Sequence, residues 1–478
     1  VVESFPALNP APPENDEAAH RDRSIRLAVV TSLVSKLGTI ILRLVSIPIA
    51  MRLLGIEQFG VYAAITMAVG MIDMLHVGIG PALTREISRA VAKGDRKREK
   101  TIFGTCILLS TALTLIAAFA AAMLLYHVPI AKLFGEEFAP LSEVMYRAAW
   151  IGIVILLIEA ICVTFEMARD GYMETRYNNA WGAGGNIVGA ALLLGGIWFF
   201  PTIEFLLIAV NGSIVLAKFG NSIHFLFQRR YLFPRFSLFR SDLVPGLLGD
   251  SLRFSVTYIL AAMIEYNIMA FIIGRISGPD AVAVFNVMVT IHFSLAGVVG
   301  MFTKPIWPAL MDAFERKDKP WILKMGGKLQ LGSLGFAAIA GFGIVLVGPI
   351  LLPIWAGEEF TNVRDSFQMD RTALFAFALY FLLHVWRHTN QTLALGVGKI
   401  NSVVCIVLTE AACLLSLACF ALVRTGEISM IYFSMAAAIA LFSGWMFPVI
   451  FREGMTDTKR EGKISDPERL DPLPKVVM

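Results

Sequence analysis

Runs of about 20 predominantly apolar residues, the length needed to cross a bilayer as a helix, recur along almost the whole chain, and nothing constrains the fold more. They fall near residues 27–52, 58–80, 101–126, 144–168, 178–199, 204–227, 250–273, 281–303, 328–350, 371–393, 400–423 and 428–450. The runs are continuous and do not alternate, so their backbone polar groups are satisfied within helices and not in a barrel. Hydrophobic residues make up 56% of the chain and charged ones 16%, below the roughly 25% of soluble domains. The expected fold class is an all-α integral membrane protein with twelve transmembrane helices.

Those twelve spans divide into six and six. Gly135-Glu136-Glu137-Phe138 recurs as Gly357-Glu358-Glu359-Phe360, an offset of 222. The stretch Leu54 to Tyr62 resembles Ser277 to Phe285 at an offset of 223, and Arg176-Tyr177-Asn178 resembles Lys399-Ile400-Asn401 at the same offset. Three matches in register predict a duplicated unit, one of the ways membrane transporters are built, with the substrate path where the repeats face each other. The expected organisation is a disordered cytoplasmic N-tail (1–24), an N-lobe of helices 1–6 (25–227), a cytoplasmic linker (228–249), a C-lobe of helices 7–12 (250–450) and a cytoplasmic C-tail (451–478). Neither tail has the apolar core of a signal peptide. Lysine and arginine crowd the even-numbered loops and both tails, which by the positive-inside rule puts both termini in the cytoplasm.

Several function classes lose their footing. The five cysteines lie inside predicted helices with no metal-ligand or pairing pattern. No phosphate-binding loop, zinc-protease or nucleophile-elbow motif occurs, so the chain is not expected to be an enzyme. The net charge of +4 is accounted for by the basic loops without a nucleic-acid partner.

An ionisable side chain inside a membrane helix is a functional candidate by default. Ser32, Lys36, Thr39, Arg43 and Ser46 follow one another at spacings of 4, 3, 4 and 3, a single polar stripe along helix 1. It is either a cationic wall for an anionic substrate or a set of bundle-locking salt bridges, for which Asp73 and Glu265 stand at matching depths to Lys36 and Arg43. Tyr258 and Glu265 share a stripe on helix 7, Lys218 lies within helix 6, and His384, Arg387 and His388 cluster on helix 10. Lys36, Arg43, Ser32, Thr39, Lys218, Arg387 and Tyr258 are the expected substrate-binding set. Asp73, Glu265, His384 and His388 are the expected ion-coupling or gating set, through protons or sodium, with no other cofactor. His384 and His388 have the i,i+4 spacing of a metal pair but no evident third ligand, so no metal site is expected. The segment Pro81 to Lys100 interleaves apolar and basic residues and is expected to be a surface helix on anionic headgroups.

Leu54-Gly55 with Phe59-Gly60-Val61-Tyr62, then Gly78-Ile79-Gly80-Pro81-Ala82-Leu83-Thr84-Arg85-Glu86-Ile87, resemble the first-repeat signature of bacterial polysaccharide flippases. These are O-antigen and exopolysaccharide repeat-unit exporters of the multidrug/oligosaccharidyl-lipid/polysaccharide (MOP) superfamily. The two Gly-Glu-Glu-Phe segments are also similar to that family, and the resemblance runs over about residues 25–450. It implies two six-helix lobes in a V around a central cavity, and alternating access. The implied cargo is an oligosaccharide on undecaprenyl diphosphate, crossing from the cytoplasmic to the periplasmic leaflet of the bacterial inner membrane. Its implied setting is a monomer in the bilayer, beside a polysaccharide polymerase and chain-length complex. Alternatives are the multidrug cation antiporter branch, whose cavity should be acidic, and the lipid II flippase branch, usually of fourteen spans. From another class come a non-transporting scaffold of polysaccharide assembly and a membrane glycosyltransferase.

Overall fold

The computed structural model describes residues 37–73, 79–248, 262–315, 317–357, 360 and 363–456. They fall into two compact units. One runs through Ser294 and takes in Leu352–Arg364; the other comprises Leu295–Leu351 and the described residues from Asp365 onward. Every expected span that is described is helical. In chain order the long helices are α1 (Leu37–Leu54), α2 (Ile56–Asp73), α3 (Ile79–Ala92), α4 (Arg96–His127), α5 (Ser142–Gly171), α6 (Thr175–Gly196) and α7 (Ser213–Gln228). Then follow α8 (Met269–Glu315), α9 (Lys319–Ala356), α10 (Arg371–Gly396), α11 (Ile400–Thr425), α12 (Ile428–Leu441) and α13 (Ser443–Thr456).

Among the described residues, 8 segments are long and apolar enough to cross a membrane. Of the four that separate this from twelve, the expected span 58–80 is described as a helix only through Asp73, in α2, and the other three have physical causes. Met263–Met301 joins two expected spans through a break at Gly278. Helix α6 is diluted by asparagine and glycine, and α10 by Arg387, two histidines, Asn390 and Gln391, so neither stands out by apolarity.

The sequence repeat reappears in backbone geometry. Left-handed turns occur at Gly55 (φ 81) and Gly278 (φ 87), at Gly94 (φ 64) and Lys317 (φ 60), and at Gly135 (φ 120) and Gly357 (φ 105). Gly94 and Lys317 each close a helix with the same pair of bonds. Gly94 N–H donates to the Val91 carbonyl and Asp95 N–H to that of Ala90; Lys317 and Asp318 do the same to Phe314 and Ala313. The aspartate after each turn caps the next helix, accepting from Arg98 N–H at 2.9 Å and from Trp321 N–H at 3.2 Å. Met173 (φ 59) and Gly398 (φ 78) form a further related pair of such helix ends.

Each unit has an aromatic and aliphatic core beside these turns. In the first, Leu83, Ile87, Phe103, Phe165, Phe225 and Leu232 pack together; in the second, Leu310, Ile322, Leu393, Val397 and Phe451 do so. Helix α3 corrects the expectation of a helix lying on lipid. Its apolar face (Ala82, Leu83, Ile87, Ala90) is buried in protein, and Thr84 and Ser88 hydroxyls donate to the Met167 and Gly171 carbonyls. Gly171 admits this approach, since a Cβ there would stand 2.8 Å from Ile87. Arg85, Ser88, Arg89 and the apolar Val91 make up the exposed side of α3 among its described side chains.

Candidate functional site: buried charges in a helical membrane protein

Helix α1 brings the described part of the predicted stripe into two environments. Thr39 Oγ1 accepts a 2.8 Å hydrogen bond from the buried Asn186 amide on α6. Ser46 folds back, its hydroxyl donating to the Arg43 carbonyl at 2.9 Å. Arg43 itself is exposed and has no ion pair with any described residue, so the Arg43–Glu265 bridge expected from matching depth does not form. Its field reaches Tyr62 on α2. Ser32, Lys36 and Tyr258 lie outside the described residues, and Asp73 is the last residue of α2.

Glu265 is 1% exposed and sits in a π-helical turn, Met263–Ile268, just before α8. Such turns interrupt the regular ladder and re-aim side chains. The next residue, Tyr266, shares a 2.8 Å hydrogen bond with His292. The lone histidine at 292 thus has a defined polar partner within the first unit.

Lys218 on α7 holds Glu159 at 2.6 Å and reaches Glu166 at 3.8 Å, both on α5 and about two turns apart from each other. All three side chains are part-exposed. One cation therefore serves two acids, a geometry in which a small movement exchanges the partner. The polar network continues through Asn178, whose amide donates to Asp170 at 3.0 Å and whose oxygen accepts from Asn221 at 2.8 Å.

It ends in a hub that the sequence treats only as loop charge. Arg169 is fully buried and reaches Glu174 at 3.2 Å, while Arg229 binds the other oxygen of Glu174 at 2.6 Å. Arg229 also lies 4.0 Å over the Tyr172 ring. Tyr172 and Tyr231 hydroxyls both donate to Glu99, at 2.6 and 2.8 Å. Burial, and then the neighbouring Glu99, hold the Tyr231 hydroxyl above its ordinary pKa. The readable signal was the density of aromatic and charged residues across Arg169 to Tyr177 and Phe225 to Tyr231.

In the second unit, Arg387 donates to Glu410 at 2.7 Å and to His384 Nδ1 at 2.9 Å. A guanidinium can only donate, so His384 Nδ1 is the acceptor and carries no proton in this arrangement. The other Glu410 oxygen accepts from the Ser443 backbone N–H at 3.1 Å. Both Arg387 and Glu410 are buried. His388 is one turn further on and pairs instead with Thr303 at 3.2 Å. The two histidines thus share a helix and not a ligand, and among the described residues no group of three His, Cys, Asp or Glu side chains could hold a metal.

A last cluster joins the two repeats inside the first unit. Arg364 grips Glu137 at 2.7 Å and Asp280 at 3.2 Å. Glu137 belongs to the first Gly-Glu-Glu-Phe segment, and Asp280 stands where the first repeat has Glu57. The surrounding backbones touch: a Cβ on Gly60 would fall 1.9 Å from the Pro279 carbonyl oxygen, and one on Gly278 1.7 Å from the Glu137 carboxylate. Nearby, Arg275 donates to the Lys132 carbonyl, Arg52 to that of Ile354 and Trp355 to that of Leu44.

Comparison with known proteins places these features in context. A family model described as "Polysaccharide biosynthesis protein" matches residues 28–314, more than half of the chain. The Escherichia coli (strain K12) inner membrane protein YghQ is 23% identical over 94 residues, a match spanning 20% of this chain and 26% of that one. Among solved structures, a multidrug resistance MATE family transporter of the MOP superfamily in an inward-facing conformation superposes with a TM-score of 0.72. The identity is 14%, with 91% of this chain and 99% of that one covered. A mutant of the Vibrio cholerae MATE transporter VcmN gives 0.63 at 14% identity, covering 91% and 97%. A MATE structure in the straight conformation gives 0.63 over the same shares. At these identities the likeness establishes the fold, that of the MOP transporters.

Proposed function

The chain belongs to the polysaccharide biosynthesis protein family and has the fold of the MOP transporters, and from that premise we propose that it is a multi-pass membrane transporter, not an enzyme, that flips a lipid-linked oligosaccharide between leaflets. The cargo class is a repeat unit on a polyprenyl diphosphate, crossing from the cytoplasmic to the periplasmic leaflet of an inner membrane by alternating access. One observation carries the reading: Arg43, on an apolar membrane helix, is exposed and has no carboxylate partner among the described residues. An uncompensated guanidinium in such a helix is stabilised by an anion, and a diphosphate supplies two adjacent ones that match its donor fork. Lys36, Ser32 and Thr39 extend the same stripe, and Tyr258 faces the same role on helix 7 in this reading.

Coupling falls to groups that can change partner or charge. Lys218 stands between Glu159 and Glu166, so substrate entry that draws it to one acid leaves the other to take a proton. Asp73, Glu265, His384 and His388 stay in the candidate set for proton or sodium movement. The Arg364–Glu137–Asp280 clamp closes one end of the first unit and opens when the outer path opens. The basic loops face the cytoplasm in this arrangement, with both termini on that side.

The test is translocation in proteoliposomes of a fluorescent oligosaccharide on a polyprenyl diphosphate, beside a cationic dye. Movement of the diphosphate alone is the expected result. Movement of the dye alone would transfer the protein to the multidrug antiporter class. Movement of neither, with an established flippase active in parallel, would leave a scaffold of the polysaccharide assembly complex.

A further inference from the structure

The connection between the two repeats, from Arg229 to Leu248, is ordered and two-faced. Three single 3-10 turns, Arg230–Leu232, Phe236–Leu238 and Ser241–Leu243, give it its shape. Leu232 and Leu247 are buried in the core of the first unit, and Leu243 packs against it. Leu238 fits the notch left by Gly104 on α4, where a Cβ would stand 2.7 Å from its own Cβ. The Thr105 hydroxyl, whose proton goes to the Thr101 carbonyl at 2.8 Å, fastens the same point by accepting from Arg240 N–H at 3.1 Å.

The opposite face is strongly apolar and strongly cationic at once. Phe233, Phe236 and Phe239 are 61%, 88% and 42% exposed, and Arg230, Arg235 and Arg240 are exposed between them. Asp242 is the one acid in the segment. Because the leucines already fill the inward face, the phenylalanines are not a core waiting to close. An apolar patch of this kind marks an interaction surface.

Depth identifies the partner. Helix α4 opens with the charged run Arg96 to Lys100 and turns apolar at Thr101. At 1.5 Å per residue, the Gly104–Thr105 dock lies about 4 to 6 Å inside the apolar part. That is the headgroup–acyl boundary, where interfacial segments bury apolar side chains about 5–10 Å deep and keep basic ones at the phosphates. We propose that residues 230–248 form an interfacial latch, with Phe233, Phe236 and Phe239 in the upper acyl region and Arg230, Arg235 and Arg240 on the phosphates of an anionic leaflet. The latch anchors the strap between the repeats to the bilayer and to α4 together. It does not depend on the identity of the cargo.

The test uses the full chain with its five native cysteines replaced by serine and Phe236→Cys carrying an environment-sensitive fluorophore. It is reconstituted in vesicles of phosphatidylglycerol or of phosphatidylcholine. The expected result is quenching by lipids brominated in the upper acyl chain and shielding from aqueous iodide. Changing Arg230, Arg235 and Arg240 to Glu should lower that quenching roughly twofold in phosphatidylglycerol and little in phosphatidylcholine. A label open to iodide and untouched by brominated lipid, in protein that elutes as a single species, overturns the proposal. The same readout from Phe233→Cys or Phe239→Cys decides the matter if the first variant does not fold.

Discussion

Two ion clusters in this molecule use similar parts under opposite conditions. In the second unit, Arg387, Glu410 and His384 are closed in: one carboxylate oxygen meets the guanidinium and the other a backbone N–H. In the first unit, Lys218 is spread over Glu159 and Glu166, and all three remain part-exposed. A planar arginine fork held on several sides fixes a geometry, whereas an ammonium on a flexible stem serves two acceptors in turn. The contrast argues that Arg387 locks its bundle and that Lys218 belongs to the part of the cycle that moves. It also sets Arg43 apart, the cation on an apolar helix with neither kind of partner among the described residues.

The largest effect should come from opening the closed cluster. Glu410→Ala leaves a buried guanidinium and the Ser443 N–H without their acceptor, and removing one partner of a buried pair costs about 3–5 kcal/mol. Thermal unfolding in detergent should show it as a large fall in midpoint, and a variant as stable as the native chain would remove the structural reading of Arg387. Lys218→Met should cost less, about 1–2 kcal/mol, because Glu159 and Glu166 are part-exposed and not sealed in. Its signature should be functional: translocation that no longer responds to an imposed pH gradient while binding persists. If the gradient response survives, the partner exchange is not the coupling step.

How much of this was legible from residues alone depends on what each feature requires. The turns at Gly55 and Gly278 could be found because left-handed backbone at close contact selects glycine, and the same glycine recurs at the same offset. The equivalent turn at Lys317 has no such mark, since its partner in the first repeat is Gly94 and the capping aspartates carry the likeness instead. His384 and Arg387 were readable as neighbours on one helix face. Glu410 was not, because it arrives from α11, and spacing within one helix says nothing about which acid another helix brings. Arg169 looked like a solvated loop charge next to Asp170; its burial follows from Tyr177, Phe225 and Glu174 closing over it, a tertiary event. Helix α3 was misplaced onto lipid for a related reason, since an amphipathic pattern fits a protein groove as well as a membrane surface.

Exposed ion pairs extend the comparison to smaller effects. Arg364→Ala should change stability by about 1 kcal/mol or less, since its partners are solvent-accessible. Its effect should appear instead in accessibility, with a thiol reagent added from outside reaching a cysteine placed at Leu44 or Ile354 faster than in the native clamp. Unchanged access would show that the clamp is not a gate. Smallest of all is Glu86, whose carboxyl is held below its usual value by hydrogen bonds from Arg98 and then Arg89. A lowered folded-state pKa contributes stability that is present above the unfolded value near 4.5 and lost as pH falls through the folded one. Glu86→Gln should therefore lower stability at neutral pH by about a few tenths of a kcal/mol, leave the acid limit nearly unchanged, and so flatten the fall between the two.

The central claim is that Arg43 meets the anionic part of the cargo. Its most direct measurement is the initial rate of diphosphate-linked oligosaccharide translocation by the native chain, Arg43→Lys and Arg43→Ala, each verified as folded. The account predicts near-complete loss for alanine and a partial rate for lysine, which keeps the charge but not the fork. Native rates from Arg43→Ala would contradict it.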